Sequence, residues 1–189
     1  GMISKWVSIP FGILVIFVSG SALNLVEYFL DLKDQLGFEP IHQEFIKWGV
    51  LFAYYGGILS GPLVDLMDTT LSFVVVAFIA AGTYVGLAFL STGTSVGTWN
   101  VVLIVFLVIF AAFNCSIAYL AAITTIIKNF SRNVGGMVAA VMIAYWWMSP
   151  WFDNTIRHGY FEDADVKQNL IAQAVIQFVV YGLASVIVN

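Results

Sequence analysis

Charge is scarce in this sequence. Lys, Arg, Asp and Glu make up 10% of the 189 residues, where a soluble domain carries about a quarter. The charge present leans acidic, with a formal net value of −4, and this excludes the basic footprint of a nucleic-acid-binding protein. Cysteine is almost missing. Cys115 is the single one and lies inside an apolar run, so no internal disulfide forms and the redox compartment stays open. Histidine is equally sparse. A metal centre needs three or four convergent ligands, so His42 reads as a surface residue, and no metal is expected. The acidic run Glu162-Asp163-Ala164-Asp165 lacks the spacing and the glycine of a calcium loop. Neither a phosphate-binding loop motif nor a nucleophile–base pair is present, so the expectation is a protein that is not an enzyme and carries no cofactor. The first apolar stretch is too long for a cleavable signal sequence and has no cleavage site that stands out. Gly1 before Met2 reads as an added residue or as the start of a fragment.

Apolar residues are abundant: 61% of the chain. Runs of about 18 or more cross a hydrocarbon core of ~30 Å as helices. Six such runs are read here, over residues 6–30, 46–63, 71–90, 101–127, 134–151 and 170–188. No polar or low-complexity stretch is left over for a soluble domain. The expectation is therefore an all-α polytopic membrane protein, a single six-helix domain over residues 1–189, with the lipid bilayer as its first partner.

Polar residues inside the spans are few enough to consider one by one. Gly20, Asn24, Glu27, Tyr28 and Asp31 recur at spacings of three and four and share one helix face. An intramembrane carboxylate invites a functional reading, which makes Glu27 a candidate proton or substrate site; the simpler reading is a helix-end residue that reaches the interface. Asn114 is the one strongly polar residue in the centre of the fourth span. It suits a hydrogen bond to a neighbouring helix, or a substrate contact. Gly57 with Gly61, and Gly82 with Gly86, have the small-residue spacing that lets helices approach closely in lipid. They are expected on helix–helix contacts. Gly37 and Pro40 fit a helix stop followed by a restart, and Pro62 is placed to end or kink the second span. Trp48, Trp99 and the cluster Tyr145-Trp146-Trp147 to Trp151 fit interfacial anchors. Asp153 to Lys167 reads as a solvated polar loop.

Two stretches carry a resemblance. Gly61-Pro62-Leu63-Val64-Asp65, read as part of a short turn, resembles the loop between helices 2 and 3 of the major facilitator transporters, where a glycine is followed four residues later by an aspartate. The basic residues and the glycine that follow in that family are replaced here by Leu66, Asp68, Thr69 and Thr70. Lys128-Asn129-Phe130, with Arg132, Asn133 and Gly135, is similar to the helix 4–5 loop of the nodulin-like branch. Ala118 to Ala122 and the first-helix exit from Tyr28 to Phe38 are similar too, so the resemblance spans Trp6 to about Met148.

The resemblance implies the N-terminal six-helix half of a facilitator, with both termini on the cytosolic or matrix side. Asn129-Phe130-Ser131 would then be a silent glycosylation sequon. The basic residues do not decide orientation, with three on the side of the termini and four opposite. Substrate in such transporters binds at the midplane between two halves, and one half is present. With its gate cations replaced and its interior nearly free of charge, the chain reads first as a non-transporting structural or accessory subunit of a larger membrane complex. An organellar energy-transducing assembly in the mitochondrial inner membrane is the host suggested. The alternatives are a small-solute facilitator working as a dimer of halves, and a fragment of a twelve-helix transporter. In the first case a helix of another membrane subunit, a bound lipid headgroup or a second copy is expected to cover the polar face of Gly20, Asn24 and Glu27.

Overall fold

The computed structural model describes residues 5–31, 33–55, 57–92, 97–160 and 166–188; the side chains of residues 27, 31, 33, 35, 54, 57, 58, 152, 156–158 and 160 are outside that description. Helices α1 (Ser8–Ser19) and α2 (Ser21–Asp31) meet at Gly20. The short α3 (Lys33–Leu36) ends at Gly37, whose φ of 66° a residue without Cβ adopts freely. Helix α4 (Pro40–Tyr55) starts on a proline, which lacks an N–H where the helix needs none. Then follow α5 (Gly57–Leu66), α6 (Thr69–Leu90), α7 (Thr98–Asn129), α8 (Arg132–Tyr160) and α9 (Val166–Ile187). Four stretches, Ser8–Leu30, Thr69–Leu90, Thr98–Asn129 and Val166–Ile187, are long and apolar enough to cross a membrane. The chain is a polytopic helical membrane protein.

Several boundaries differ from the sequence reading, and for a common reason. Helix α4 begins at Pro40 rather than near Ile46, and α8 runs on to Tyr160 rather than stopping at Trp151. Both extensions are polar, so apolar patterning does not reveal them. Pro62 and Pro150 lie inside helices. Around Pro150 the lost backbone bond is made good locally, as membrane helices permit: Ser149 Oγ donates to the Trp146 carbonyl at 2.7 Å. The turn expected around Gly61 and Asp65 contracts to Met67–Asp68, leaving both residues on α5.

Side-chain contacts show which ends of the helices lie together. Trp6 packs edge-on against Phe130 at 5.1 Å, and Lys5 Nζ sits 5.4 Å from the same ring. Thr69 and Thr125 hydroxyls are 3.1 Å apart. Val188 is buried in one apolar cluster with Phe130 and Val64. One end of the bundle thus gathers both described ends of the chain, the α5–α6 turn and the α7–α8 turn. At the other end Lys167 Nζ sits 4.5 Å over the Phe89 ring.

The core has two apolar clusters stacked along the helices. The first holds Val15, Phe73, Ala80, Ile117 and Tyr181; the second holds Ala22, Tyr84, Ala112 and Leu170. Between them runs a band of buried polar side chains: Ser19 and Ser21 on either side of Gly20, Thr83 on α6, Ser116 on α7 and Gln177 on α9. Ser60 on α5 joins it through a 3.1 Å hydroxyl contact with Ser116. This polar waist lies near the middle of the helices.

The glycine expectations divide. A Cβ at Gly86 would touch Leu107, but one at Gly61 or Gly82 would meet open space, so those two do not mediate contacts within the chain. The side chain at Gly57 is outside the described residues. Spacing picks out small residues, but azimuth on the helix decides what they face. The close approaches include Gly12 against Met142, Gly20 against Ser149, Gly49 against Ile109 and Gly135 against the Ile127 backbone.

Candidate functional site

Asn24 lies one turn beyond the break at Gly20, on the face of α2 turned to α8. Its Nδ2 donates to the Pro150 carbonyl at 3.0 Å and to Asp153 Oδ2 at 2.8 Å. The other carboxylate oxygen, Asp153 Oδ1, accepts from Gln173 Nε2 on α9. One carboxylate is therefore held between amides from two different helices. Asp153 is 8% exposed. Hydrogen bonds to an ionised acceptor are the stronger kind, and a buried carboxylate needs them because stripping its hydration is costly.

One turn further along α9 the network continues. Gln177 Nε2 donates to Ser21 Oγ at 2.9 Å, and Ser21 Oγ lies 3.1 Å from Tyr84 OH. Gln177 is fully buried, and its Oε1 has no partner among the described residues. Tyr181 OH is 3.8 Å from Cys115 Sγ. Ser21, Asn24, Tyr28, Tyr84, Asp153 and Gln173 face a cavity of about 30 Å³. A cavity needs about 10–15 Å³ of such volume to hold a water, so ordered water fits there.

The other candidate residues are placed differently. The backbone of Glu27 is in α2, but its side chain lies outside the described residues. Asn114 does not join the cluster. It donates to the Val76 carbonyl on α6 at 3.0 Å, the interhelical bond expected of it, while its Oδ1 is buried without a partner among the described residues. Asp65 is exposed on α5, and Lys128, Arg132 and Asn133 are exposed around the Phe130–Ser131 turn. Gly135 is buried there, close to the Ile127 backbone. The aromatic cluster divides: Tyr145 packs on Phe17 and Trp146 on Tyr119, while Trp147 and Trp151 are exposed. His42 is half-buried, and its Nδ1 accepts from the Glu39 N–H.

Two expectations are overturned. Asp153 is not in a solvated loop but buried on a helix, because α8 continues through Pro150. The face carrying Gly20 and Asn24 is not left for a partner, because α8 covers it: Ser149 closes on Gly20, and Asp153 bonds Asn24. Sequence reasoning also passed over Gln173 and Gln177. Their i, i+4 spacing in an otherwise apolar helix was the available signal. Among the described residues no three His, Cys, Asp or Glu side chains converge as metal ligands.

No known family, no characterised protein and no solved structure matches this chain.

Proposed function

We propose that this protein is a non-transporting structural subunit of a larger membrane assembly, built as a six-span bundle of the facilitator-half kind. The observation that carries the reading is the clasp of Asn24, Asp153 and Gln173. Asn24, Asp153 and Gln173 are committed to one another across three helices. Alternating access needs two states that ligands bias differently, and a closed clasp is suited to fixing one. The outer surface supports the same reading: α8 buries a narrow stripe, with Gly135, Ala139, Met142, Ser149 and Asp153, and leaves Gly136, Ala140 and Ala144 outward. Small residues at that spacing admit a close partner helix.

The setting proposed with it is an organellar inner membrane, the mitochondrial one first, and cell fractionation reads this directly. The test of the subunit reading is the mass of the native protein in mild detergent. A fixed, stoichiometric set of other membrane proteins is expected, and a lone chain contradicts it.

A second reading, a small-solute facilitator completed by a second copy or a second half, has one observation in its favour. The clasp sits where α1–α2 breaks at Gly20 and where α8 carries Pro150, and interrupted helices near the midplane are where transporters bind solutes.

A further inference from the structure

The Phe130 ring is buried at one end of the bundle, and basic residues gather round it. Lys5 Nζ sits 5.4 Å from its centroid. Lys128 lies two residues before it, in the last turn of α7, and Arg132 two residues after it, as the first residue of α8. Two residues span at most about 7 Å, so cations from three segments of the chain flank one ring. They are three of the seven Lys and Arg in the sequence, and all three are exposed. Among the described residues the one ion pair is Lys47 with Glu44. Asp65 and Asp68 are exposed at the same end, but neither pairs with these cations. Like charges held close repel one another, and an anion set among them relieves that repulsion.

We propose that this patch binds the phosphate of an anionic phospholipid headgroup. Depth is the first argument. The apolar stretch Ser8–Leu30 begins three residues after Lys5, and Thr98–Asn129 ends one residue after Lys128. The cations therefore stand at the edge of the hydrocarbon, where headgroups lie. Trp6, next to Lys5, packs edge-on against Phe130 and stays exposed, at the level where interfacial tryptophans sit. The border of the patch is the second argument. Val7, Ile127 and Val134, each within two residues of one of the cations, are exposed. They offer acyl chains an apolar surface directly beside the charge. A soluble anion would engage the cations and leave that border in place; a phospholipid engages both. An acidic protein segment would match the charge but would set backbone polar groups against the apolar border, which is costly in lipid. The site requires that the chain lie in a bilayer, not that it be a subunit.

The test is native mass spectrometry of the full chain in mild detergent, titrated with phosphatidylglycerol or with phosphatidylcholine. Phosphatidylglycerol is expected to bind the more tightly. Lys128→Gln and Arg132→Gln should each weaken it about fivefold, the share of one basic residue at an anionic lipid surface. Both side chains are exposed, and such substitutions leave the fold intact. Lys128→Arg, which keeps the charge, should retain the parent affinity. Lys167→Gln is the control: Lys167 lies over the Phe89 ring at the other end of the bundle, and its loss should leave binding unchanged. Equal affinity for the two lipids overturns the proposal, and so does a loss from Lys167→Gln as large as that from Lys128→Gln. Crosslinking in native membranes that seats an acidic protein segment on Lys128 and Arg132 overturns it too.

Discussion

Asn24 and Asp153, 129 residues apart in the chain, meet at 2.8 Å one turn from the polar waist. Their bond joins the first and the penultimate long helical units, and Gln173 closes it from the last. Asn24→Ala takes away one of the donors to the carboxylate. Hydrogen bonds to charged groups contribute about 1.5–3 kcal/mol, so a destabilisation of that order is expected in detergent unfolding. Combined with Asp153→Asn, the effects should be non-additive, with a coupling on the order of 1 kcal/mol. Simple additivity would mean that the two side chains do not act as a pair.

Gly20→Ala is expected to destabilise the bundle, because a Cβ there overlaps Ser149 Oγ and overpacking costs about 1–3 kcal/mol. Ser149→Gly should restore part of the loss by clearing the space. Gly61→Leu is the contrast: among the described residues nothing lies within 4 Å of its Cβ position, so its unfolding curve should stay close to that of the parent. Equal losses at Gly20 and Gly61 would contradict the packing described.

The contrast also marks how far the sequence could be read. Apolar runs disclose the existence and order of the long helices, since runs of about 20 residues satisfy their own backbone polar groups in lipid as helices. Gly37 and Pro40 were legible as stop and restart because their backbone chemistry is local. Asn24 stood out as a polar residue within an apolar run. Asp153 did not: it follows Pro150 and precedes a polar stretch, so it reads as loop, and the contacts that carry α8 onward, Gly20 with Ser149 and Asn24 and Gln173 with Asp153, are tertiary. Gly61 and Gly20 differ in what faces them, which spacing along one helix does not encode.

Topology is tested by cysteine labelling. Lys5, Thr69, Thr125 and Phe130 gather at one end of the bundle and Lys167 with Phe89 at the other. In a six-span arrangement Asp65, Lys128 and Arg132 then share the side of both termini. Cysteines placed at Ser131 and Gln168, both exposed, should be reached by an impermeant reagent from opposite sides of the membrane. Labelling of both from one side alone would refute that arrangement.

The central claim, a polar clasp that fixes one state in a subunit that carries no solute, is tested most directly by flux. Purified protein is reconstituted in liposomes and challenged with a panel of neutral, anionic and cationic small solutes, with Asp153→Asn and Glu27→Gln reconstituted alongside. The account predicts flux indistinguishable from protein-free liposomes for the parent and both variants. Saturable uptake of one solute, abolished by either substitution, would contradict it.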